Sequence, residues 1–168
     1  MADRVQLFLG LLTIIGSGVV SAVVTYRLNA SHSEREFKRG KAEELYMAAD
    51  NFYKFLFASY AVWLQAMLGN CDYSTAFSEE GKILSKMEGL GQRLEMLASL
   101  YFQSLVPEIK QLDALKSSLS QVRRDFERAR EAKQNTQAYA PQLKKLLSDL
   151  EASRSRFKQR LIELNQKT

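Results

Sequence analysis

The sequence predicts an all-α chain: an N-terminal transmembrane helix, then an antiparallel four-helix bundle or a helical-hairpin, coiled-coil domain. Three observations carry this. Residues 5–26 form an apolar run of 22 residues whose only strongly polar member is Gln6. Downstream, apolar residues recur at spacings that alternate between about three and four, the period of a helix with one buried stripe. All eight glycines lie at or before Gly91, so the last 77 residues lack the positive-φ turn positions that sandwiches and barrels need.

The apolar run comes first. At about 1.5 Å per residue it reaches about 33 Å as a helix, against a hydrocarbon core of about 30 Å. A cleaved signal peptide is the rival reading, and Ser17, Gly18, Ser21 and Ala22 supply the small residues it would need. A signal peptide, however, has a basic start and a shorter run, whereas here the basic segment follows. Asp3 and Arg4 precede the run, and Arg27, His32, Arg35, Lys38, Arg39 and Lys41 come after it, diluted by Glu34 and Glu36. Lys and Arg are retained on the cytoplasmic side, so the expected topology is single-pass in a bacterial plasma membrane, N-terminus outside. Tyr26 then falls at the interface, where its amphipathic ring is favoured. Arg27, Arg35, Lys38, Arg39 and Lys41 are placed to meet anionic lipid headgroups, at about 1 kcal/mol per charge. Within the span, Gly10, Thr13, Ser17, Gly18, Ser21 and Ala22 share one small, weakly polar face, the kind through which membrane helices pack.

The expected organisation is an anchor over 1–28, a basic linker over 29–40 and a helical domain over 41–168. Residues 29–33 are polar, and Ser33 with Glu36 fits a capping box, so a hinge and a continuous helix are both open here. The first soluble helix, to about Leu68, carries Leu45, Ala49, Phe52, Leu56, Tyr60, Trp63 and Met67. Residues 52–69 are apolar nearly all round, with Lys54 and Gln65 the main exceptions and six aromatics among them. That pattern fits a central helix buried on several sides, with membrane contact as the competing reading. Gly69 to Ser74 reads as a turn. A second helix carries Ile83, Met87, Leu90, Leu94, Leu97 and Tyr101, weakened by Gly81, Gly89 and Gly91, which mark candidate close approaches of the backbone. Pro107 opens a third, with a seam of Leu112, Leu115, Leu119, Val122, Phe126 and Ala129; a kinked continuation is the alternative. After the polar residues 134–137, Pro141 opens a fourth, with Leu143, Leu147, Leu150, Phe157, Leu161 and Leu164 interrupted by Arg154.

Hydrophobic residues at 46% and charged ones at 26% exclude general disorder. The lone Cys71 forms no internal disulfide and has no Cys-x-x-Cys partner, and the lone His32 sits in the polar linker without a nucleophile beside it. Adjacent carboxylates such as Glu43/Glu44 and Glu79/Glu80 diverge around a helix, and no Glu-x-x-His pair or phosphate-cradling glycine loop is present. No catalytic residue, metal, cofactor or small-molecule substrate is therefore expected. Residues 107–168 hold 14 Lys/Arg against 8 Asp/Glu, which suits an anionic partner. Arg123, Arg124, Arg128 and Arg130 form the candidate partner face, interleaved with Asp125 and Glu127. Nucleic acid would ask for more net charge and stacking aromatics than this segment offers.

The span and basic linker lead into Lys41, Ala42, Glu43, Glu44, Leu45 and Tyr46, with Phe52, Tyr53 and Lys54 on the same helix. Over the first 55 residues this resembles small prokaryotic single-pass membrane proteins with a cytoplasmic helical domain, a resemblance that implies no assigned activity. The stalk subunit b of rotary ATP synthase shares the outline but lacks an aromatic-rich segment like 52–69. Phage spanin subunits face the periplasm, which the basic flank opposes. The expected function is a non-enzymatic, membrane-tethered scaffold that assembles with itself or a protein partner at the cytoplasmic face. The alternative is a membrane-acting effector of the toxin or phage-defence type, with 52–69 inserting on activation.

Overall fold

The computed structural model describes the backbone of residues 2–166 and the side chains of residues 25–26 and 32–166. Two compact units divide the chain, Met1–Gly40 and Lys41–Thr168. The first belongs to helix α1 (Ala2–Met67). Its residues 29–33 are helical throughout, so the polar stretch is neither a hinge nor a new helix start. Asn and Ser cost a helix under about 1 kcal/mol each. At its C-terminal side Glu34 pairs with Lys38 at 2.9 Å and His32 Nδ1 stands 3.6 Å from Glu36, both at i,i+4. The side chains of Gly10, Thr13, Ser17, Gly18, Ser21, Ala22 and Arg27 lie outside the described residues. Among the described residues no helix is long and apolar enough to cross a membrane.

The second unit is all-helical, with no strand among its described residues. Residues 41–67 of α1 form its first leg. A Schellman turn ends the helix: Gly69 adopts φ +78°, its N–H donating to the Ala66 carbonyl, while the Asn70 N–H donates to Gln65. Asp72 then caps α2 (Tyr73–Met87), accepting the Thr75 N–H at 2.7 Å. The single second helix expected from periodicity is in fact two. Gly89 at φ +74° breaks the backbone, and α3 (Leu90–Tyr101) starts afresh. A 3-10 turn over Gln103–Leu105 leads into α4 (Val106–Glu131), with Pro107 in its first turn, so Pro107 opens a new helix after a connection. Helix α5 (Tyr139–Gln166) closes the chain.

Cross-helix contacts fix an up-down-up-down course. Phe52 lies under Gly91, and Glu44 pairs with Arg93, so α3 runs against α1. Glu80 and Tyr73 meet Arg123 and Glu127, so α2 runs against α4. Phe126 faces Tyr139 while Glu108 faces Arg160, so α5 returns along α4. The legs are those of an antiparallel four-helix bundle, its second leg broken in two. The core strings Leu45, Phe52, Leu56 and Trp63 of α1 against Leu94 and Leu97 of α3, Leu112 and Leu119 of α4, and Leu143, Leu150 and Phe157 of α5. Helix α1 touches every other leg, which explains why 52–67 is apolar on nearly every side. In the bundle this segment supplies core residues as far as Met67, with Leu68 beyond them 55% exposed.

Candidate functional site

Polar side chains converge most densely where α1, α2 and α4 meet. Helix α2 buries little: Ala76 and Glu80 are its buried residues. Both stand on the stripe Ala76, Glu80, Ile83, Met87, so a carboxylate occupies a core-facing position and its side chain is 6% exposed. The Arg123 guanidinium donates to Glu80 Oε1 at 2.6 Å and to Glu127 Oε1 at 3.2 Å. It also lies over the Trp63 ring, 4.4 Å from the centroid, a cation–π contact in a dry setting. The Tyr73 hydroxyl donates to Glu127 at 3.0 Å, its ring meets Trp63 edge-on at 5.2 Å, and Arg130 covers it at 3.8 Å. One turn away the Tyr60 and Ser120 hydroxyls share a hydrogen bond of 2.6 Å.

Burial pushes the Glu80 carboxyl above the ordinary carboxylate range; the Arg123 charge and the nearby Trp63 N–H pull the other way, and the Glu127 charge adds to the rise. The Trp63 N–H itself has no partner of good hydrogen-bond geometry. The ionised carboxylate therefore loses more to dehydration than its partners return, the usual balance for a buried ion pair. Burial likewise raises the Tyr60 and Tyr73 hydroxyls, Tyr73 further through Glu127.

A second cluster joins α1 to α5. Arg154 donates to Asp50 Oδ1 at 2.7 Å, and Lys158 pairs with the same oxygen while lying 5.0 Å from the Tyr46 ring centroid. The hydrogen bond from Lys158, then that from Arg154, holds the Asp50 carboxyl below its usual range, and Asp50 in turn raises Lys158. Arg154, which breaks the apolar seam of α5 in sequence, is thus the tie between helices. Nearby, the buried hydroxyls of Tyr53 and Ser153 share a hydrogen bond of 3.0 Å. Between α4 and α5 an open groove of about 760 Å³ is bordered by Pro107, Glu108, Arg156 and Arg160, with Glu108 Oε2 enclosed and unpartnered.

The four arginines of the expected partner face do different things. Arg123 is turned into the bundle, because the α2 carboxylate faces it. Arg130 covers Tyr73, Arg124 donates to Gln121 at 2.9 Å, and exposed Arg128 stands 3.7 Å from Asp125. Among the residues expected to meet headgroups, Arg35, Lys38 and Arg39 are exposed, Lys38 pairing with Glu34, while Lys41 donates to Glu44 at 2.8 Å. In the sequence Glu80 counts only as one of the diverging carboxylates Glu79/Glu80, and Asp50 carries no role. The signal for Glu80 was its place four residues after Ala76 and three before Ile83. His32 is exposed beside Glu36, and half-buried Cys71 directs its thiol to the Val62 carbonyl at 3.9 Å. Among the described residues no three His, Cys, Asp or Glu side chains are grouped to hold a metal. Compared with protein-family models, curated proteins and solved structures, the chain matches none.

Proposed function

We propose that the chain is a membrane-tethered, non-enzymatic helical module that assembles with itself or a protein partner at the cytoplasmic face of a bacterial plasma membrane. The observation that carries this is the juxtaposition of a 22-residue apolar run with a basic flank and a separate, well-packed helical unit. The run reaches across a bilayer, the flank favours retention of the following residues inside, and Arg27, Arg35, Lys38, Arg39 and Lys41 supply charge for anionic headgroups. Assembly draws on the small-residue face of the run, where Gly10, Ser17, Gly18 and Ala22 permit close approach of helix backbones. On the bundle, the exposed guanidinium groups of Arg124 and Arg128 remain for an acidic partner surface.

The test is crosslinking in native membranes. The wild-type chain is expected to give adducts of defined size, and Gly18→Leu and Ser17→Leu should abolish the self-adducts by filling the small face. A strictly monomeric chain in all three, with no foreign adduct, would contradict the assembly reading.

A further inference from the structure

Helix α2 differs from its neighbours in how it is held. Left-handed glycines bracket it, Gly69 at φ +78° before it and Gly89 at φ +74° after it, and a Cβ at either would meet nothing within 4 Å. Both joints therefore turn on a left-handed backbone position that a glycine adopts without strain. Its buried groups are one methyl, Ala76, and one carboxylate, Glu80. Its outer face leaves Phe77 and Leu84 57% and 45% exposed. By contrast, α5 is fastened by Leu143, Leu147, Leu150, Phe157 and Leu161. What α2 covers is unusual too: Trp63, fully buried, with its indole N–H near the Glu80 carboxyl but short of good hydrogen-bond geometry, and Arg123 stacked on its ring.

We infer that α2 is a strap that swings off the bundle as one piece about Gly69 and Gly89 when the Glu80/Arg123 pair parts, and that its release uncovers Trp63. From α2 itself only Ala76 and the half-buried Tyr73, Ile83 and Met87 leave contact, and the main apolar cost of opening is the Trp63 ring it uncovers. The remaining ties are polar: Glu80 to Arg123, Tyr73 to Glu127, and Arg130 over Tyr73. Each exchanges protein partners for water on opening, so the loss is far smaller than for an apolar helix face. The raised Glu80 carboxyl fits this, since release rehydrates a charge that burial disfavours. The surface uncovered is the Trp63 ring with the Arg123 guanidinium over it.

Hydrogen exchange on the full-length chain in detergent micelles tests the strap, with acrylamide quenching of Trp63, the sole tryptophan, as a second reading. In the wild type, amides of residues 76–87 should exchange at least about tenfold faster than those of 113–129 and 143–161, as expected of a locally opening unit. Glu80→Lys, which sets like charges together, should widen that gap and raise quenching while far-UV helicity persists. Glu80→Met, which replaces the buried charge with an apolar group of similar length, should narrow the gap and lower quenching. If residues 76–87 exchange in step with α4 and α5 in the wild type, the strap is refuted. Should Glu80→Lys not fold, Glu80→Met decides: slower exchange confined to α2 supports the strap, and unchanged exchange overturns it.

Discussion

Two carboxylates, each facing an arginine, show how burial sets the sign of an ion pair. Asp50 lies partly in water and accepts from both Arg154 and Lys158, so its charged form is favoured and its carboxyl titrates below the ordinary value of 3.8. Glu80 is nearly out of water and its carboxyl titrates above the ordinary value of 4.5. The linkage follows directly. A depressed carboxyl contributes stability that is present above its unfolded value and lost as pH falls through its folded value. A raised one contributes stability that is present below its unfolded value and lost as pH rises through its folded value. Asp50→Asn should therefore lower unfolding free energy by about 1 kcal/mol at neutral pH, after allowing for solvent screening. Denaturant melts of the two proteins should converge as pH falls below 3.8. Glu80→Gln should show the opposite trend, its difference from wild type shifting most at pH values above 4.5.

At the scale of the element, helix ends explain where sequence reading succeeded and where it failed. The turn after α1 was legible because Gly69 and Asp72 are residues whose chemistry specifies a C-terminal Schellman turn and an N-cap. The division of the second leg was not. Gly89 sits inside an unbroken apolar spacing from Ile83 to Tyr101, and periodicity does not register a one-residue left-handed break. Of the three glycines there, Gly91 is the one placed by close approach, since its Cβ would lie 3.2 Å from the Phe52 ring, while Gly81 has open space. Buried polar partners escaped for another reason: Glu80 and Arg123 are 43 residues apart, and their pairing depends on tertiary register. The end of α4 offers a direct check. Lys133 holds φ +55° where a glycine would be unstrained, with its N–H donating to Arg130 and the Gln134 N–H to Ala129. Lys133→Gly should raise stability by about 1 kcal/mol, read as a shift in denaturation midpoint at constant slope.

Over the whole molecule, one helix lends itself to two environments. Residues 41–67 of α1 are the centre of a four-legged bundle, surrounded by α3, α4, α5 and the lightly held α2. Residues 5–26 have the length and apolarity of a bilayer crossing, and on the proposed reading the basic residues that follow hold the bundle on the cytoplasmic side. The core role of 41–67 was legible in its apolar pattern along the chain. What the bundle adds is the burial of Trp63 and its neighbours within the helical unit. The most direct test is protease protection in sealed right-side-out and inverted inner-membrane vesicles, after alkaline carbonate washing, with an antibody to the C-terminal helix as readout. The account predicts a chain that stays with the washed membrane, with α5 digested in inverted vesicles and protected in right-side-out ones. Release by carbonate, or digestion of α5 in right-side-out vesicles, would contradict it.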